Sequence, residues 1–390
     1  NSALDIATGE FVALLDHDDE FTEHALYMVV DELNRHPETK FLYSDEDKIA
    51  ENSLRFNPYF KSDWNPELLL SQNYLCHLVV YRRDLLKSIG GFRKGFEGSQ
   101  DWDIALRAIE KISSKEIRHI PHILYHWRVI PGSTAHSSGF KPYALRAGAK
   151  AVSEHLDRRG VKAEVEILED IAHYRIHYAI SEPHPLVSII MPTKDKVNYL
   201  KRCVASILKR SDYREFEIII VDNRSSDPET FSYFESLRGN PQVKVVRDDN
   251  PFNYSAINNR AVKHASGEIL AFLNNDLEVI TPGWLTEMVS HVVQPEVGCV
   301  GARLWFPNDL LQHCGVILGI GGVAGHSHKG WAKFNPGYFN RACLVSNFSA
   351  VTAACMLVRR EIFEKVGGFE EQGLSIAFND VDLSLRIREA

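Results

Sequence analysis

GEILAFLNNDLEV, residues 267–279, is an apolar run that breaks into an amide- and acid-rich tip, and GEFVALLDHDDE, residues 9–20, repeats the pattern. A short apolar run followed abruptly by Asp and Asn reads as a buried strand opening into a loop. Aligning the tips sets Asp16 against Asn274 and Asp18 against Asp276, an offset of 258. The same offset superposes NSALDIATGE (1–10) on NRAVKHASGE (259–268). Further on, VVYRRDLLKSIGGF (79–92) matches MLVRREIFEKVGGF (356–369), and SQDWDIALR (99–107) matches FNDVDLSLR (378–386). A slow drift in offset is what small loop insertions give, so the chain reads as two tandem copies of one domain.

The copies are cut differently. PLVSIIMPTKDK (185–196) and FEIIIVDNRSSD (216–227) are β-branched runs ending in polar loops, separated by the amphipathic VNYLKRCVASILKR (197–210). That order predicts β-α-β in a parallel sheet, with Val197, Leu200, Val204, Ile207 and Leu208 on the buried helix face. Copy one has no counterpart of this half. It runs instead through IRHIPHILYHWRVIPGSTA, whose counterpart copy two lacks. The expected domains are residues 1–135, a helical and extended linker over 136–185, and residues 186–390. The sequence starts at Asn1 and ends in DLSLRIREA, which reads as mid-helix, so both copies are expected to be truncated pieces of a longer protein.

The 390 residues carry a net charge of −8, which argues against a nucleic-acid partner held by bulk electrostatics. The six cysteines include no CxxC pair and suit a reducing compartment, so a cytoplasmic location is expected. No run is long and apolar enough to span a bilayer, and no signal peptide is visible.

In an open parallel sheet, ligands bind at the carboxyl ends of strands. Clustered carboxylates there repel one another unless a cation or water satisfies them. Asp16, Asp18 and Asp276 are therefore candidate ligands for Mg²⁺ or Mn²⁺, hard ions that accept few carboxylates and keep positions open for phosphate oxygens. A solvated acidic turn reads equally from one tip alone. A second acidic motif lies in register behind each tip: Asp101 with Asp103, and Asp380 with Asp382. Asp101 and Asp380 suit a general base, while an Asp opening a helix also serves as a cap. Asp103 and Asp382 lie deeper in the helix and read as capping or supporting groups.

Taken together, these motifs resemble inverting, metal-dependent glycosyltransferases of family 2 with the GT-A fold, a Rossmann-like, mostly parallel α/β sheet with flanking helices. The resemblance implies that MPTKDK (Pro192, Thr193, Asp195), Asp222 and Asn275 grip the nucleotide. It implies that Asp16, Asp18 and Asp276 hold the metal, and that Asp101 and Asp380 are catalytic bases. His126 and Arg128, in YHWRVIPGS, become candidates for the diphosphate or the metal shell. Asn274 departs from the family's DxD pattern. The implied reaction is hexosyl transfer from a UDP, dTDP or GDP sugar to a glycan or lipid-linked acceptor, and LQHCGVILGIGGVAGHSHKG (311–330) resembles tandem enzymes of bacterial O-antigen and rhamnan-type polysaccharide synthesis. Peripheral association with the inner face of the membrane or with export machinery is expected in that setting. The alternative is a non-catalytic sugar- or nucleotide-binding tandem in which one copy positions substrate for the other.

His313, His326 and His328 match no common metal-ligand spacing. GIGGVAG half-matches a dinucleotide fingerprint but opens no helix, so it is set aside.

Overall fold

The computed structural model describes residues 1–129 and 142–390. Residues 130–133 of the YHWRVIPGS segment, and the expected boundary at 135/136, lie outside the described residues. The chain divides into two compact units, residues 1–178 with 338–347, and residues 179–337 with 348–390.

Unit 1 is built on the strands β1 (Phe11–Ala13), β2 (Glu20–Phe21), β3 (Phe41–Ala50), β4 (Arg55–Tyr59), β5 (Val79–Arg82) and β6 (Ile117–Val129). They form one sheet in the order β1-β5-β3-β6-β2, with β4 paired to β3. Among the described residues, only β3 and β6 run parallel; β1–β5, β3–β5, β3–β4 and β2–β6 are antiparallel. Among the described residues of this unit the expected mostly parallel sheet is therefore not found, and nothing there corresponds to the β-α-β segment of residues 185–227. A helix, Pro142–Arg158, and a hairpin of β7 (Ala163–Leu168) and β8 (His173–Tyr178) complete it. Tyr174 and Ile176 of that hairpin join the core of Phe41, Tyr43, Leu69 and Trp102.

In unit 2, β9 (Val187–Thr193), β10 (Phe216–Asp222), β11 (Val243–Arg247) and β12 (Ile269–Leu273) pair in parallel in the order β11-β10-β9-β12. β13 (Cys299–Gly301) follows, then two small hairpins, β14 (Leu304–Trp305) with β15 (Leu311–His313) and β16 (Val316–Leu318) with β17 (Ala324–His326). β18 (Cys355–Arg359) lies antiparallel between β12 and β13. Both faces of this sheet are covered, which explains why its strands read as continuous apolar runs. Ile189, Met191, Ile218 and Ile220 pack on one side with Leu200 and Val204 of the helix Val197–Arg210. The alternate residues Ile190, Ile219, Val221 and Phe272 pack on the other with Ile257, Phe363 and Leu383. Period-two alternation places each set.

Two local arrangements are alike in the two units. β1 meets β5 with Phe11 opposite Arg82, and β12 meets β18 with Ile269 opposite Arg359. Asn1 brackets Phe92 through both side-chain atoms, and Asn259 brackets Phe369 in the same way. Glycine is required beside each. Gly91 and Gly368 have φ of +65° and +71°, and a Cβ would lie 2.5 Å from Asn1 Oδ1 or 2.6 Å from Asn259 Oδ1. Among the described residues, no helix is long and apolar enough to cross a membrane.

Candidate active site

In unit 2, β9 and β12 are adjacent, so the loops at their carboxyl ends meet. The Asn275 side chain donates to Thr193 Oγ1 at 2.8 Å, tying the MPTKDK loop to the acidic tip. Pro192 sits within β9, opposite Val221. Asp195, at φ +52°, accepts the backbone N–H groups of Ser226 and Asp227, both at 2.9 Å, and these bonds hold its carboxyl below the usual range. Asp222 is buried at the end of β10, accepting from Ser225 N at 3.0 Å and pairing with Arg247 at 2.6 Å. Asp195 and Asp222 thus brace the loops that follow β9 and β10, and the charge of Asp222 is already partnered.

Asp276 is exposed, and among the described residues no Lys, Arg or His forms an ion pair with it. Asn274 is held through its backbone, which donates to Ala354 O at 3.0 Å. Asp380 opens the helix Asn379–Glu389 and accepts from Ala353 N at 3.1 Å and Val381 N at 2.9 Å. It lines a cavity of about 200 Å³ with Val316, Gly325, His326, Thr352 and Phe378. Asp382 turns away to Arg386, at 2.6 Å, which also donates to Val366 O and Gly368 O.

Unit 1 places its acids differently. Asp16 is exposed and Asp18 half-buried, with His17 3.7 Å from the Asp18 carboxylate. Asp19 anchors the loop by accepting from the Tyr125 hydroxyl and from Arg128 N, the latter at 2.8 Å. Burial raises its carboxyl despite those two bonds. Arg128 also donates to Asp18 O at 2.8 Å and pairs with Glu20, so it stands beside the tip. His126 is buried and bonded to Asp47 at 2.5 Å, where it braces β6 against β3.

Asp101 opens the helix Gln100–Ile109, and its Oδ2 accepts from Asn73 and from the Cys76 thiol, both at 2.8 Å. Burial, then the Asp101 charge, pushes that thiol well above its usual range. Asp103 is locked to Arg93 and Arg107, as Asp382 is to Arg386. Behind Cys76 lies a buried ionic group that sequence reading missed: Glu46 pairs with Lys61 at 3.4 Å and with His77 at 2.9 Å, and Lys61 donates to the carbonyls of Leu75 and Cys76. The one available signal was SDEDK (44–48), acidic residues within a strand. Alternation sends Asp45 and Asp47 to His119 and His126 on one face and Glu46 to the other.

Among the described residues, no three His, Cys, Asp or Glu side chains gather to hold an ion. His313, His326 and His328 therefore form no metal centre. The tips offer two carboxylates in unit 1 and one in unit 2. That set fits only an ion that takes its remaining ligands from substrate and water, as Mg²⁺ readily does.

The glycosyl transferase family 2 model matches residues 1–90 and 188–367. Over 392 residues the chain is 49% identical to the uncharacterized protein y4gI of Sinorhizobium fredii, covering 100% of the chain and 43% of that protein. It is 42% identical over 401 residues to the O-antigen biosynthesis protein RfbC of Myxococcus xanthus, covering 99% of the chain and 30% of that protein. The chain thus spans less than half the length of these two relatives. A solved mannosyltransferase from Pyrobaculum calidifontis, in complex with GDP-Man and Mn²⁺, is 19% identical with a TM-score of 0.40, over 63% of this chain and 61% of that one.

Proposed function

Given that the chain belongs to glycosyl transferase family 2, we propose that it transfers a sugar, with inversion, from a nucleotide-sugar donor to a hydroxyl of a growing bacterial cell-surface glycan. The observation that carries this reading is the Asn275–Thr193 bond, which ties a nucleotide-type loop to an acidic tip whose Asp276 is exposed. The O-antigen role of the Myxococcus relative supports the choice of a surface glycan. The shared strand register and the paired Asn–Gly locks support two tandem GT-A copies.

In this reading Pro192, Thr193 and Asn275 line the nucleotide pocket, with Asp195 and Asp222 fixing its walls. Asp380 removes the proton from the acceptor hydroxyl as that oxygen attacks the anomeric carbon and the donor's diphosphate departs. Asp101 takes the same part in unit 1, and Arg128 stands where it could neutralise a diphosphate. Mg²⁺ or Mn²⁺ would be held by Asp16 and Asp18 in unit 1 and by Asp276 in unit 2; when bound it supplies positive charge opposite the leaving diphosphate. The reaction would take place at the cytoplasmic face of the membrane, on a glycan or lipid-linked acceptor.

The test is nucleoside diphosphate release from UDP, dTDP and GDP sugars. Asp380→Asn should lower one transfer by about 10²–10⁴-fold, the usual contribution of a positioned base. Asp276→Ala should abolish the same transfer, while Asp18→Ala removes a different one. Release unchanged in all three variants would refute the assignment. A second reading, in which one unit only binds, draws support from the Asp101 carboxylate being engaged by Asn73 and Cys76. Metal-dependent nucleotide binding by unit 1 without turnover would favour it.

A further inference from the structure

The cavity that Asp380 lines is also lined by His326, whose ring meets that of His313, and the protons of these two histidines can be traced. His313 is buried at the end of β15, and its Nε2 accepts the backbone N–H of Gly315 at 3.3 Å and of Thr352 at 3.5 Å. A nitrogen that accepts carries no proton, so the neutral ring bears its hydrogen on Nδ1. That Nδ1 lies 2.9 Å from Nδ1 of His326, with the rings perpendicular at 89°. Two N–H groups cannot face each other at that distance, so His326 Nδ1 accepts and the His326 proton sits on Nε2.

Both rings are held neutral. Burial, then the neighbouring ring, drives His313 down to about 3. His326 is lowered by burial and by Lys329, with Asp380 opposing. His326 and Asp380 line the same cavity, one carrying an N–H on Nε2 and the other a carboxylate acceptor. Its volume of about 200 Å³ leaves room for several waters or for a small polar ligand.

We propose that His326 is a specificity-determining residue that donates from Nε2 to one hydroxyl oxygen of a bound sugar while Asp380 accepts from the neighbouring hydroxyl. His313 is a positioning residue that fixes the donor's tautomer. The cavity is therefore a reader of adjacent hydroxyls on a glycan unit, and the histidines set aside as ligands act as hydrogen-bond hardware. The pairing of Asp380 with an acceptor hydroxyl rests on the transferase reading above; the tautomer lock does not.

Long-range ¹H–¹⁵N spectra of the histidine-labelled chain read the lock directly. His313 should be protonated on Nδ1 and His326 on Nε2. His313→Phe should leave His326 a tautomer mixture, and His313→Asn, whose side-chain nitrogen can stand in for Nδ1–H, should restore it. Titration with a panel of methyl glycopyranosides, with and without adjacent hydroxyls, should move the His326 signals only for sugars that carry them. His326→Phe should weaken that binding about tenfold, and His326→Gln, which keeps a donor near Nε2, should weaken it less than threefold. The reverse tautomers, no response to any glycoside, or equal binding by His326→Phe would each overturn the proposal. If glycoside binding and tautomers behave as expected but Asp380→Asn still transfers sugar at full rate, the base assignment falls and the reader stands.

Discussion

Asp101 and Asp380 open equivalent helices, each followed by an Asp locked to an arginine four residues on, yet they face opposite kinds of surroundings. Asp101 is backed by buried charge: Cys76 joins it to Lys61, which pairs with Glu46, which pairs with His77. Asp380 faces a cavity walled by apolar atoms and a neutral histidine. A helix start thus delivers a carboxylate to two electrostatic settings. What differs lies on the elements across from the helix, β3 with the loop before β5 in unit 1, and the β16–β17 hairpin in unit 2. Position in the fold fixes where the acid is, and the opposing wall fixes what it meets.

The sharpest way to break this contrast is to remove the cation from the buried group. Lys61 is fully buried, and Glu46 is only 10% exposed. Lys61→Met should leave the Glu46 charge half-compensated and destabilise unit 1 by about 3–5 kcal/mol, the cost typical of breaking a buried pair from one side. Hydrogen exchange read peptide by peptide would show the loss in residues 41–129 and none in residues 187–273. Adding Glu46→Gln to Lys61→Met should recover much of the stability, since no buried charge then lacks a partner. If Lys61→Met unfolds no more readily than the parent, the group is solvated and the contrast with unit 2 dissolves.

Acid offers a milder probe. Burial would raise the Glu46 carboxyl, but Lys61 and His77 together draw it from 4.5 to about 2. The folded unit thus keeps this charge where the unfolded chain takes a proton, so the stabilisation is complete above about pH 4.5 and fades as pH falls toward 2. Its size is on the order of 3 kcal/mol at about 1.4 kcal/mol per pKa unit. His77 works the other way. Burial lowers it, yet Glu46 outweighs that and raises it, so its contribution is present below about 6.5 and is lost as pH climbs through the raised value. Urea unfolding followed from pH 7 to pH 2.5 should show unit 1 losing stability over the acid limb, and Glu46→Gln should flatten that limb.

How far the sequence could be read follows from the range over which its signals act. β9, β10 and β12 were legible because burial on both faces leaves an uninterrupted apolar run, and the acidic tips because a strand's end changes composition at once. The bond from Asn275 to Thr193 spans 82 residues, but two strand ends named both partners. The Glu46 group stayed hidden because its partners lie 15 and 31 residues away, on two irregular segments either side of the helix Pro66–Ser71. The sequence makes His126 a diphosphate candidate, but its bond to Asp47 depends on a parallel pairing of β3 with β6 that no local pattern announces. The tautomers of His313 and His326 are illegible in the sequence, because proton placement is decided by backbone donors that a sequence does not display.

The smallest expected effect tests the shared frame rather than the differing walls. Gly91 and Gly368 each hold a positive φ and each admit the side chain of an Asn, Asn1 or Asn259, where a Cβ would stand. Alanine at either position must bear left-handed backbone and displace an amide that brackets the next phenylalanine, costing about 1–3 kcal/mol. Because the two locks are built alike, Gly91→Ala and Gly368→Ala should cost amounts within about 1 kcal/mol of each other, each confined to its own unit. Denaturant midpoints read unit by unit would measure both. Unequal costs would mean that the frames differ beneath their common register, and the opposing walls would then not be the only source of the difference between Asp101 and Asp380.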